Sequence, residues 1–358
     1  MDARAHQSVH FAVDDRTASV TVIPEVDGVI DVGRTAEILR SAHERGHPFD
    51  VVALGASTYD GQRLDCSMVL PELASADPRV RFVLDDAWCA IHCFSSGSMY
   101  PGPLAALPAL RSLGYGNPVI VTQSAHKTML ALRQGAYIHV DSGAEFEIEK
   151  RLRSSIFRYH TTSPSWLILA SLDIARAHAV CDGDLSIQRS LGLIQRLSDG
   201  LERRTPGRFQ VLAADAKYPY RTDALRVHIR VPPGGDAVAI RETLWGEHGI
   251  HIPRVQGDRL VASVTIGASE DAIDRLVAAL SELTVPTAVA PRARRPVESE
   301  FDGFLIAYPP GVPLRLPYSG RGAAMADDIE DEVTNGAEIF EIASSWQPRP
   351  TSVAPREM

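Results

Sequence analysis

Lysine is almost missing from this chain. Of 36 basic residues only Lys127, Lys150 and Lys217 are lysines, so any search for an imine-forming lysine has three positions to test. Cysteine is scarce as well. Cys66, Cys89, Cys93 and Cys181 contain no Cys-x-x-Cys pair, and Cys89 with Cys93 on one helix face would leave a zinc site short of ligands. Reduced thiols of a cytoplasmic protein are the expectation, with no metal. No apolar run reaches the roughly 18 residues that cross a bilayer. The start, Met1-Asp-Ala-Arg-Ala-His6, lacks the apolar core of a signal peptide. A positive charge balance is also lacking. With 36 Lys and Arg against 45 Asp and Glu, the net charge of -9 disfavours a nucleic-acid or anionic-membrane partner.

What is present is an ordinary folded composition, 45% hydrophobic and 23% charged, which excludes a wholly disordered chain. The 26 glycines and 24 prolines are scattered, without a collagen repeat. A length of 358 residues corresponds to about two domains. The first half alternates short apolar strands with helices: strands at Val20–Ile23, Phe49–Leu54, Val80–Leu84 and Val119–Val121, and a helix over Thr35–Arg45. Such alternation predicts an α/β fold with a mostly parallel sheet covered on both faces. Two helices follow, over Ser165–Ala179 and Leu185–Arg204, before Pro206-Gly207 punctuates the chain. Beyond it, a strand at Ala224–Val231 with Leu225, Val227 and Ile229 on one side, a helix at Val238–Glu247, a strand at Arg259–Ile266 and a helix capped by Ser269 predict a smaller α/β domain. The expected division is 1–204 and 205–358, with a linker near 286–300 and a loose tail after Gln347.

Ligands of parallel sheets bind beyond the carboxyl ends of strands, where Asp85-Asp-Ala-Trp88 and Gln123-Ser-Ala-His-Lys-Thr128 fall. A lysine there can form an imine with an aldehyde cofactor, and an aspartate can keep a pyridine nitrogen protonated. Taken alone, Asp85 and Lys127, 42 positions apart, are equally two ordinary polar residues at strand ends.

The longer words are more specific. Ala56-Ser-Thr-Tyr-Asp-Gly61, Asp85-Asp-Ala-Trp88 with Phe94-Ser95, Gln123-Ser-Ala-His-Lys-Thr128 with Ile138-His-Val140, Tyr159-His-Thr-Thr-Ser-Pro164 and Tyr308-Pro-Pro-Gly-Val-Pro313 occur in one order. With them the chain resembles the ornithine/lysine/arginine decarboxylase family, in its bacterial, aminotransferase-like form. The resemblance implies a large domain of pyridoxal 5'-phosphate (PLP) fold type I and a smaller C-terminal domain. It implies Lys127 as the Schiff-base lysine, Asp85 on the pyridine nitrogen, and Trp88 beside the ring. It places Ser124 on the phosphate, His126 against cofactor or substrate, and Thr162 and Ser163 near the pocket at a dimer interface. Trp88 as core packing, His126 as a structural histidine and Thr161–Ser163 as helix caps remain the alternative readings.

Two departures from the pattern bear on function. His6 matches the family's ring-stacking histidine but has five residues before it, so the glycine-rich phosphate cradle that precedes it in the family is missing. Either the coding start lies further upstream or a second polypeptide supplies that part; the expectation is the second polypeptide, in a dimer of heteromers. Where the family continues with Pro-Gly-Glu, this chain reads Pro317-Tyr-Ser-Gly320, which leaves the substrate open. The function expected from the resemblance is PLP-dependent decarboxylation of a basic amino acid. The alternatives are other PLP chemistry on an amino acid, or a non-catalytic regulatory subunit.

Overall fold

The computed structural model describes residues 20–26, 29–95, 102–214, 216–287, 303–308, 312–315 and 338–343. His6, the linker-like stretch and most of the C-terminal words lie outside them. One compact unit runs from Ile23 to Arg292, and the three last strands belong to a second.

The first unit opens on a short antiparallel pair, β1 (Glu25–Val26) and β2 (Val29–Ile30). The strand expected at Val20–Ile23 is not formed, since Pro24 brings no N–H to a ladder at its end. Helix α1 (Val32–Glu44) is capped by Asp31, whose carboxylate accepts the Arg34 N–H at 2.8 Å. Then follow β3 (Val51–Gly55), β4 (Gln62–Leu64), α2 (Cys66–Ala76) and β5 (Arg81–Asp85). After a 3₁₀ turn at Ala90–Phe94 come α3 (Pro103–Ser112), β6 (Val119–Gln123), the single turn α4 (Ala125–Thr128) and β7 (Tyr137–Asp141). The sheet order is β3-β5-β6-β7, with the first two pairings parallel and β6-β7 antiparallel. Val52, Leu54, Phe82, Leu84, Val119 and Val121 form one core with the apolar faces of α1, α2 and α3.

Helix α5 (Ile148–Tyr159) buries none of its residues. The two helices expected next are one, α6 (Trp166–Arg204), of 39 residues. Gly183 does not break it. Its bare Cα lets Phe94 pack there, where a Cβ would come within 3.0 Å of the phenylalanine Cβ. The chain continues through β8 (Gln210–Val211), β9 (Ala216–Lys217), β10 (Tyr220–Thr222) and β11 (Arg226–Arg230). It ends this unit with α7 (Ala237–His248), β12 (Arg254–Gln256), β13 (Arg259–Ser263) and α8 (Glu270–Glu282), the last capped by Ser269. Strands β12-β13-β11-β8 make an antiparallel sheet. Leu193, Leu197 and Leu201 of α6 share its core with Ile229, Ile240, Leu260 and Leu280. Val227 and Ile229 enter that core as expected, whereas Leu225 packs in a third cluster beside Ala90, Ile91, Ala125, Ala175 and Ala179. Strand β10 pairs with β4 and so reaches back to the first half of the chain.

In the second unit, β14 (Gly303–Tyr308), β15 (Val312–Arg315) and β16 (Glu338–Ala343) form an antiparallel sheet with β14 central. Among the described residues no helix is long and apolar enough to cross a membrane.

Leu197 is fully buried where α6 meets the antiparallel sheet. Leu197→Ala is expected to cost about 2–5 kcal/mol. Chemical unfolding followed by hydrogen exchange should place the lost protection in β11 and β13; a change below about 0.5 kcal/mol would show that α6 does not close this core.

Candidate active site

Strands β5 and β6 run parallel in a register that pairs Leu84 with Val121 and Asp85 with Thr122. Asp85 therefore closes β5 next to the strand that leads into Lys127. The Ala87 N–H donates to Asp85 Oδ1 at 3.1 Å, which turns the chain sharply out of the strand. The next residue, Trp88, donates its main-chain N–H to the Ser57 hydroxyl at 3.2 Å. The single turn α4 is anchored by buried Ala125 and carries Lys127, whose Nζ stands 4.2 Å from the centre of the Trp88 ring. Burial pushes the Lys127 ammonium below its ordinary value; Asp85 opposes this and Arg226 adds to it.

The structure thus brings together Lys127, Asp85 and Trp88. Ser124 stands at the start of α4 with its hydroxyl unused as a cap. His126 is tethered, its Nδ1 2.9 Å from the Gly135 carbonyl, so the ring donates there and leaves Nε2 as its basic nitrogen. Thr162 and Ser163 are exposed, and neither is hydrogen-bonded to Lys127 or Trp88. Thr161–Ser163 do not cap α6 either, since Ser165 occupies that position. The Thr161 hydroxyl instead accepts the Ser163 N–H at 3.0 Å.

Beneath these residues lies a buried polar network. Gln123 donates to Asp86 Oδ2 at 2.7 Å and accepts from His139 Nε2 at 3.0 Å. Burial pushes the Asp86 carboxyl up to about 6, against the pull of Arg63 and Gln123. Asp223 behaves oppositely. Burial alone would raise it, but His92, 3.0 Å away, and Arg63 hold it at about 2. Cys89, His92 and Asp223 have ligand atoms within 4.8 Å of one another, a possible metal triad. Arg63, beside Cys89 and Asp223, already supplies positive charge there.

The antiparallel sheet provides the facing wall. Arg226 of β11 lays its guanidinium 4.4 Å from the Trp88 ring centre, and Tyr59 meets the same indole edge-on at 5.1 Å. Arg254 of β12 pairs with the Asp60 carboxylate. Gly61 makes this contact possible. Its φ is +87°, and a Cβ on it would lie 2.4 Å from both Cβ and Cγ of Arg226. Asp86, Arg63, Asp223 and Arg226 are absent from the expected site. For Arg226 a signal existed: the alternation that turns Val227 and Ile229 inward leaves an arginine on the opposite face of an apolar strand.

The likeness of this α/β arrangement to solved lysine decarboxylases shows the fold to be PLP fold type I. Comparison gives the family: residues 26–215 match the major domain of the Orn/Lys/Arg decarboxylases, and the chain belongs to that family. It is 28% identical over 243 residues to the uncharacterized protein YaaO of Bacillus subtilis, covering 67% of this chain and 47% of YaaO. It is 24% identical over 352 residues to an arginine decarboxylase of Bacillus cereus, covering 87% of this chain and 72% of the relative. The solved structure of lysine decarboxylase A from Pseudomonas aeruginosa superposes with a TM-score of 0.69 at 19% identity, over 93% of this chain and 61% of that one. The chain therefore spans less than half of YaaO and about three-fifths of that lysine decarboxylase.

Asp86 has a testable pH signature. The folded chain keeps its proton up to about pH 6, whereas the unfolded chain releases it near 4. Folding stability contributed by this group falls as pH rises from about 4 to 6 and is level above, a change of about 3 kcal/mol. Unfolding curves of the parent and of Asp86→Asn across this window should differ by that slope; parallel curves would show that Asp86 titrates normally.

Proposed function

We propose that this chain forms the reactive half of a PLP-dependent amino-acid decarboxylase, with Lys127 as the lysine that holds the cofactor. The observation that carries this reading is the Lys127 amine, half-buried against Trp88 at 4.2 Å and one strand away from Asp85. The residues suit PLP: a lysine whose pKa is lowered, a carboxylate at the neighbouring strand end, and a flat aromatic ring between the two sheets. Bound PLP supplies an electron sink for breaking the bond between Cα and the carboxylate.

The chain's own residues do the rest. Lowering the Lys127 pKa raises the fraction of neutral amine, the form that attacks a carbonyl carbon. The Asp85 carboxylate holds a proton on the ring nitrogen through a charge-assisted hydrogen bond. Trp88 and Tyr59 exclude water from one side of the site. Lys127, or His126 through Nε2, returns a proton to Cα. The names of the arginine and lysine decarboxylases among its relatives support a basic amino acid as substrate.

The same reading includes a second polypeptide that completes the phosphate-binding part, in a dimer of heteromers. Its support is the apolar surface of α5 and the first half of α6. Trp166, Leu167 and Leu185 are 79%, 75% and 71% exposed, and Phe157, Ile174 and Val180 are exposed with them. A surface of this kind marks an interface.

Borohydride reduction followed by peptide mapping is expected to leave a pyridoxyl group on Lys127; a label on Lys150 or Lys217 would overturn the assignment. Asp85→Asn should lower turnover by about 10- to 150-fold, the worth of one charge-assisted hydrogen bond, with cofactor retained. Near-normal release of carbon dioxide would remove Asp85 from the mechanism. Native mass spectrometry of the purified protein should show a heteromer. A PLP-loaded, active homo-oligomer of this chain alone would refute the second polypeptide.

A further inference from the structure

We infer that Gln123 is a positioning residue of the site: its side-chain amide fixes the turn that carries Lys127 against the strand end that carries Asp85. The inference rests on the proposed role of Lys127 and extends it to a residue that acts through its neighbours.

Gln123 closes β6 and is 2% exposed. The pleat sets it on the same face as Val119 and Val121, where a third apolar residue would extend the core with no polar group to satisfy. The amide is satisfied in full instead. Its Nε2 donates to Asp86 Oδ2 at 2.7 Å and to Cys93 Sγ at 3.2 Å. Both N–H groups are then spent, so the contact with His139 Nε2 at 3.0 Å is made by Oε1 as acceptor and the ring as donor. Burial holds the His139 ring below its ordinary value, so it is neutral at pH 7, with its proton on Nε2. One amide thus joins three segments: the chain leaving β5, the 3₁₀ turn and β7. A buried polar group satisfied on every side fixes one arrangement of its neighbours.

Each segment bears on the site. Asp86 follows Asp85, and its main-chain N–H donates to the Thr122 carbonyl at 2.9 Å, so main chain and side chain lock the same two strand ends. In the 3₁₀ turn the Ile91 N–H donates to the Thr128 hydroxyl at 3.4 Å, next to Lys127. Strand β7 is held to α6 by Tyr137, whose hydroxyl donates to the Leu172 carbonyl at 2.6 Å. On the other side, Ser124 follows Gln123 directly and opens α4. A helix of four residues does not hold a direction by itself. Its aim, and with it the place of the Lys127 amine, depends on what holds the residue before it.

The test exchanges the partners. Gln123→Leu removes all three bonds at similar volume. Gln123→Glu sets a second carboxylate against Asp86. Adding Asp86→Asn to Gln123→Glu restores an amide–acid pair with the roles reversed, Asn donating and Glu accepting from it and from His139. Measurements run from pH 7 to 10, above the Asp86 titration near 6. In the cofactor-free protein, acetylation and peptide mapping give the pH midpoint of Lys127 labelling, with exposed Lys150 as internal standard. In the PLP-loaded assembly, kcat and KM are measured at pH 8. Both single variants are expected to move the Lys127 midpoint upward, as the amine leaves its half-buried place. They should lower kcat about 10- to 100-fold with KM changed less than about threefold. The double variant should return the midpoint to that of the parent and kcat to within about threefold of it. An unchanged midpoint or an unchanged kcat in the single variants, or a double variant as impaired as Gln123→Glu, would overturn the inference. If a single variant does not fold, the double variant decides: it matches the parent or the inference falls. Borohydride labelling separates the two levels of the argument. A parent protein without label on Lys127 refutes the proposed function, whereas the midpoint in the cofactor-free protein still decides the role of Gln123.

Discussion

One helix has to serve two cores. At about 1.5 Å per residue, the 39 residues of α6 extend about 58 Å. Its last turns close the antiparallel sheet through Leu193, Leu197 and Leu201. Its middle lies under α4, where Ala175 and Ala179 meet Ala90, Ile91 and Ala125. Small residues on both sides allow close approach and leave little freedom for α4. The helix thereby fixes how far the strand ends that carry Asp85 and Lys127 stand from the strand that carries Arg226. The first turn of the helix contributes to neither core, and Trp166, Leu167 and Leu169 are exposed there.

Around this frame the charges are arranged in layers. Closest to the indole stand Lys127 and Arg226, which its π face attracts by about 0.5–2 kcal/mol each at most. Carboxylates add to that attraction: Asp85 supports the charge of Lys127, and Asp223 that of Arg226. One layer further in, Arg63 interacts with Asp86 and Asp223 together. The two acids then diverge: Asp223, facing His92 and Arg63, stays ionised, and Asp86, whose burial outweighs the pull of Arg63 and Gln123, moves towards neutrality. Environment, not residue type, separates them.

Much of this was legible in the sequence, and the limits have physical causes. The parallel strands were readable because each is a short apolar run, and the strand-end aspartate and lysine followed from their positions. The antiparallel sheet was readable from alternation and from the Ser269 cap. The break inferred between Ala179 and Leu185 failed because Gly183, a helix breaker by propensity, is a packing site for Phe94. Thr162 and Ser163 came from resemblance, and within this chain their side chains meet solvent. The buried network escaped because its members are dispersed: Arg63, Asp86, Gln123 and Asp223 converge only after β10 returns to β4. Pairings across 160 residues carry no local pattern.

The contact between Gly61 and Arg226 ties together two positions that are far apart in the chain. Any side chain at 61 occupies the space of the arginine stem, and any retreat of the arginine leaves a hole beside the indole. Neither position can drift alone. Among relatives of this protein, a glycine at the first should travel with a long side chain at the second, and an alanine or larger residue with a short one. The pair would then be inherited as a unit, and a sequence in which only one member has changed would mark a lineage where the pocket has been rebuilt for different chemistry.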